Sequence, residues 1–219
     1  MLGEGVSINA QGNLVIDAPL YVIDRNQESP GLKPTDASLN LPVTAFIYDN
    51  GDTLDCPLEL TGGIVNGRIA LIIKKPDEYL LTRNAADFWN VHEEYFKEGA
   101  DAKNAQLLLY AGNPLDYNWI RLFSSPIIAY INWWEVDPYD VDGENHYFIY
   151  SLGVVSISDR INISSQDSKY TWYTDVDMEL RNGWDIVGAE NIFDETINDT
   201  INTITSTLPS SDFRRKNGD

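Results

Sequence analysis

Tyr170-Thr171-Trp172-Tyr173-Thr174-Asp175-Val176-Asp177-Met178-Glu179-Leu180 is the stretch whose reading decides the fold. It ends in strict alternation, with Val176, Met178 and Leu180 on one side and Asp175, Asp177 and Glu179 on the other. Successive side chains of a strand point to opposite faces, so this period puts the apolar set on a core and the acids in water. A sheet wet on one face favours antiparallel pairing. Arg181-Asn182-Gly183 follows as a turn, and Trp184 to Gly188 as the next strand. A large ring directly after the turn is expected to cap the core.

Working outward, the same grammar recurs along the chain. Val6 to Ile8, a turn at Gln11-Gly12-Asn13 and Leu14 to Asp17 read as an opening hairpin, with Leu20 to Ile23 extended beyond it. Val43 to Tyr48 is a strand closed by Asp49-Asn50-Gly51-Asp52. Asn66-Gly67 between two apolar runs is the strongest hairpin signal. Further strands are expected at 105–110, 119–123, 127–134, 147–149, 154–158 and 161–164, with a last one within 196–207. Strands without interleaved helices argue against a doubly wound or barrel α/β enzyme. The expected fold is mainly β: an antiparallel β-sandwich of one or two units.

One segment departs from period two. Ala85, Phe88, Trp89, His92, Tyr95 and Phe96 recur at helical spacing, with Asn84 placed as an N-cap and Gly99 as a C-cap. This predicts an amphipathic helix over 84–98. It divides the chain into an N-terminal β unit at 1–83, a helical connector at 84–99, a C-terminal β unit at 100–208 and a tail at 209–219.

Composition bounds the function. The formal net charge of −19, from 34 acidic against 15 basic residues, opposes binding to nucleic-acid phosphates and to anionic lipid. The single cysteine, Cys56, allows no intrachain disulfide and no multi-cysteine zinc site, and its apolar surroundings suggest a buried thiol. No apolar run reaches the roughly 18–20 residues of a membrane-spanning helix. His92-Glu93-Glu94 opens like a zinc-protease motif, but Phe96 stands where the second histidine belongs, so His92 is expected at the core or its boundary. His146, the other histidine, is expected to be exposed. Neither a nucleophile elbow nor a phosphate-binding glycine loop is present.

Three blocks carry a resemblance. Tyr147-Phe148-Ile149-Tyr150, Val154 to Asp159, and Val176 to Val187 with its Gly183-Trp184 together resemble a pattern of uncharacterised bacterial envelope lipoproteins: a Tyr-rich strand, a V-x-I strand, then L-x-L-x-x-G-W-N-x-V. Met178 replaces the first Leu of that pattern, Asp185 its Asn, and Asp159 stands where Gly is common. The resemblance implies an exported β-protein of the bacterial cell envelope, lipid-anchored through a leader segment removed from the chain, since Cys56 is internal. It implies no activity and transfers no catalytic residues.

Two candidate sites emerge from the residues themselves. Trp133 and Trp134, adjacent on one strand, must face opposite ways, so one ring is available to stack on a sugar beside Tyr139; the alternative buries both rings. The acidic loop 135–145 offers Asp140, Asp142 and Glu144 around Gly143 as oxygen ligands for calcium. Pro138 and Ile149 break the EF-hand spacing, and a solvated hairpin tip is the competing reading. The leading expectation is a non-catalytic binding or structural module that needs no cofactor and meets a glycan or protein at the cell surface. The alternatives are a carbohydrate-active hydrolase with paired carboxylates in a Trp-lined cleft, and a calcium-dependent adhesion module.

Overall fold

In the computed structural model the deciding stretch alternates as its sequence demands: Thr174, Val176, Met178 and Leu180 are buried, while Asp177 and Glu179 are exposed. The structure describes residues 5–24, 31–34, 40–48, 56–111, 120–123, 127–131, 144–164, 171–194 and 199–206. Its strands are β1 (Val6–Ile8), β2 (Leu14–Asp24), β3 (Gly31–Pro34), β4 (Val43–Tyr48), β5 (Cys56–Leu58), β6 (Leu60–Val65), β7 (Arg68–Ile73) and β8 (Phe96–Glu98). The second half adds β9 (Lys103–Ala111), β10 (Ile120–Phe123), β11 (Ile127–Ile131), β12 (Glu144–Leu152), β13 (Val155–Ser164), β14 (Thr171–Leu180), β15 (Gly183–Asp194) and β16 (Asp199–Thr205). The protein is mainly β and its sheets are predominantly antiparallel, with β2–β11 and β14–β16 the parallel pairs among those described.

Two apolar cores lie on opposite faces of a central layer. In the first, Leu14, Ile16 and Leu20 of β2 and Ile69, Leu71 and Ile73 of β7 meet Ala45 and Ile47 of β4, Leu107 and Leu109 of β9, Phe148 and Tyr150 of β12, and Trp184 and Ile186 of β15. In the second, Ile149 and Val187 of the same central strands meet Val155, Ile157, Val176, Met178 and Leu180. Adjacent residues of β12 and β15 therefore enter different cores, which is why both faces of these strands are apolar. Strand β4 pairs with β9 in the register Val43↔Ala111 to Tyr48↔Gln106. Residues from both sides of segment 84–99 thus build the first core.

The Asn66-Gly67 hairpin forms as expected, both residues holding positive φ (52° and 70°) between β6 and β7. The Arg181-Asn182 link does something else. Strands β14 and β15 do not pair with each other; β16 lies between them, alongside β14 up to Asp177 and alongside β15 from Gly188 onward. Nearer the link, Met178 and Leu180 face Val187 across the second core. The link is therefore a bend between layers rather than a hairpin. Asp185 pins it: one carboxylate oxygen accepts from the Arg181 backbone N–H at 2.6 Å, and the other accepts from Arg181 Nε and Nη2 at 3.0 and 2.6 Å. Trp184 is buried in the first core, its ring edge-on to Tyr150 at 4.9 Å between centroids.

The helix expected over 84–98 is present but short. It is α1, Ala85–Trp89, capped by the Asn84 side chain, which accepts from the Asp87 N–H at 2.8 Å. It stops at Asn90, which turns left-handed (φ 53°). A 3-10 turn at Glu93–Tyr95 follows, and then β8, which pairs with β13. Val91 from the link after Asn90, Tyr95 from the 3-10 turn and Phe96 from β8 reach the second core, not from a continuing helical face. His92, expected on that face, is exposed instead and stands just before the 3-10 turn without a capping side-chain bond. Gly99, expected as the helix C-cap, instead turns the chain from β8 into β9; at its φ of +78° a Cβ would collide with the Val154 carbonyl.

Candidate functional site

The site is assembled from four elements. Tyr48 ends β4; its register partner is Gln106 of β9, whose own partner is Ile149 of β12. These three residues form a row across neighbouring strands, and Tyr147 stands two residues along β12 on the same face. Helix α1 closes the fourth side with Phe88 and Trp89. The six residues line a recess of about 210 Å³. Ile149 is buried at its base, whereas Tyr48, Trp89, Gln106 and Tyr147 are half-buried and reach its opening.

The helix is held over the sheet by backbone and side-chain bonds. Ala86 N–H donates to the Ala100 carbonyl and Asn104 N–H to the Arg83 carbonyl, both at 3.1 Å. Asn104 is fully buried. With its amide oxygen toward the indole, Asn104 accepts from Trp89 Nε1 at 2.9 Å and donates to the Lys103 carbonyl at 3.1 Å and to Ser151 Oγ at 2.8 Å. Ser151 Oγ in turn donates to the Gly153 carbonyl at 2.8 Å. These bonds satisfy the buried amide of Asn104 and fix the angle of the Trp89 ring. Phe88 and Trp89 stand nearly perpendicular, 83° apart with centroids 4.9 Å from each other.

Two wider depressions lie elsewhere. One runs along Arg83, Asp87, Asn90, His92, Glu93 and Glu94, and the other along Glu78, Glu98, Asp101, Lys103, Val154 and Asn182. Their charged groups are largely exposed to water, where a bound ion or polar ligand gains little. Among the described residues Tyr150 is the buried titratable group with a clear displacement. Its phenol is pushed above the ordinary tyrosine value, first by burial and then by the charge of Glu78. It belongs to the first core and lines none of these recesses.

Of the residues singled out from sequence, Trp133, Trp134, Tyr139, Asp140 and Asp142 lie outside the described residues. Glu144 opens β12, opposite Glu190 of β15. His146 follows it in β12, opposite Gly188, and Cys56 opens β5 opposite Ile47. Among the described residues no group of three or more His, Cys, Asp or Glu side chains could hold a metal ion, and no helix is long and apolar enough to cross a membrane. Sequence reading did not bring together Tyr48, Trp89, Gln106 and Tyr147. The available signal was the aromatic residue ending β4 and the one ending α1, and only strand register brings these to Gln106 and Tyr147 inside β9 and β12.

Comparison with protein-family models, with curated proteins and with solved structures finds no match.

Proposed function

We propose that this chain is a non-catalytic binding module of the bacterial cell envelope that holds a small ligand in the recess of Tyr48, Phe88, Trp89, Gln106 and Tyr147. The observation that carries this reading is a concave site walled by aromatic side chains and mounted on a doubly buried sheet, with Asn104 bracing its helical wall. Aromatic-lined recesses with few polar groups are the usual form of small-molecule sites, and a rigid mount lowers the entropy lost on binding. Its volume, about 210 Å³, lies below the roughly 300–1,000 Å³ of sites for drug-sized molecules, which suits a small group. The envelope assignment rests on the resemblance of segments 147–187 to envelope lipoproteins. Fractionation of native cells tests it, with the protein expected in the envelope fraction.

The binding reading is tested by a ligand-observed NMR screen of small sugars, amines, organic cations and carboxylates against the full chain. Binders that lose their signal in Tyr147→Leu are expected. A screen without binders, or with binders indifferent to Tyr147→Leu and Tyr48→Leu, removes the recess from consideration.

A further inference from the structure

Resting on that reading, we propose that the recess is an aromatic cage for a small soluble organic cation of the quaternary-ammonium class. Among the described residues the lining is four aromatic rings, one amide and one isoleucine. Phe88 and Trp89, nearly perpendicular, form two walls meeting at a corner. Tyr48 and the β12 residues flank Gln106 from the neighbouring strand on either side, on strands about 10 Å apart at twice the ordinary strand spacing, with Tyr147 two residues along β12 from the Tyr48 row. A guest in this recess would lie between rings of the helix and rings of the strands.

The chemistry of the walls selects among guests. A hexose presents several hydroxyl groups that lose water on entry, and the described walls return one amide and two phenols for them. An anion is opposed by the formal charge of −19. A quaternary ammonium carries no hydrogen-bond donor, so it needs no polar partner on burial. Its charge is attracted to the negative faces of Trp, Tyr and Phe rings. The acidic surroundings add a long-range pull on cations, softened by salt beyond about 8–10 Å. Size agrees as well, since about 210 Å³ suits a compact head group.

Calorimetric titration of the full chain with choline and with its uncharged carbon isostere, 3,3-dimethylbutan-1-ol, provides the test. The Trp89 indole N–H resonance is followed in parallel to locate the binding. Choline is expected to bind at least about tenfold more tightly than the isostere, as a desolvated cation–π contact implies. Tyr147→Leu and Tyr48→Leu, which keep an apolar side chain while removing the ring, are each expected to weaken choline about tenfold. Retained thermal unfolding of both variants distinguishes a lost ring from a lost fold. Equal affinity for choline and the isostere overturns the cation assignment while leaving an apolar binding site. Binding of methyl glucoside in preference to choline overturns it in favour of a sugar. Association with phosphatidylcholine vesicles without affinity for free choline overturns the soluble-ligand form. An absence of choline binding overturns it outright, and the wider screen then decides whether the recess binds anything.

Discussion

Asp185 shows how much a single side chain can decide. Its carboxylate is nearly buried and holds both the backbone and the guanidinium of Arg181 across the bend between β14 and β15. Asp185→Ala leaves the Arg181 N–H without its acceptor and is expected to cost about 1–3 kcal/mol in urea unfolding. Asp185→Asn keeps an oxygen for that N–H and should cost less than the alanine variant. Tyr150 gives a second handle at this scale. Its folded pKa is raised by burial, so its share of stability is complete below the unfolded value of about 10 and is lost as pH climbs through the folded value. The melting temperature is expected to fall in that alkaline range, and less steeply in Tyr150→Phe. The alternation at 174–180 was fully legible in sequence because strand geometry ties each side chain to a face without reference to any partner. The role of Asp185 was not, because a carboxylate beside a turn reads as solvated until the packing around it is known.

Among the elements, α1 is the one where sequence periodicity and structure part. Helical spacing extended from Ala85 to Phe96, yet the helix ends at Trp89, since β8 gains sheet pairing with β13 and Val91, Tyr95 and Phe96 bury their side chains without helical geometry. Tertiary pairing outweighs a weak local preference. What keeps so short a helix in place is its cap at Asn84 and its brace at Asn104; five residues in isolation would not hold helical form. Asn104→Leu strips Trp89 Nε1 of its acceptor, while Ser151 Oγ keeps its bond to the Gly153 carbonyl, and is expected to destabilise by about 1–3 kcal/mol. Faster hydrogen exchange at Ala86 and Phe88 is the accompanying measurement, because it separates loosening of the helix from loss of the whole fold.

For the whole molecule, the consequential feature is a central layer buried on both sides. Phe148, Tyr150, Trp184 and Ile186 complete a core whose opposite wall comes from residues before position 84. Residues 84–219 produced alone would expose that apolar face. They are expected to aggregate or to lack the cooperative melt of the full chain, which calorimetry of both would reveal. The full chain is expected to melt in a single transition. The candidate recess belongs to this scale too, because its walls are drawn from segments separated by up to a hundred positions and meet only through the registers of β4, β9 and β12.

Strand period, turn chemistry at Asn66-Gly67 and the N-cap at Asn84 were determined by the sequence alone, since each depends on forces acting within a few residues. The order of strands, the insertion of β16 between β14 and β15, and the meeting of Tyr48, Trp89, Gln106 and Tyr147 were decided by the tertiary structure. Those features depend on which apolar faces cover one another. Apolar burial rewards any close cover of similar area, so many pairings satisfy the same local pattern until the whole chain is packed.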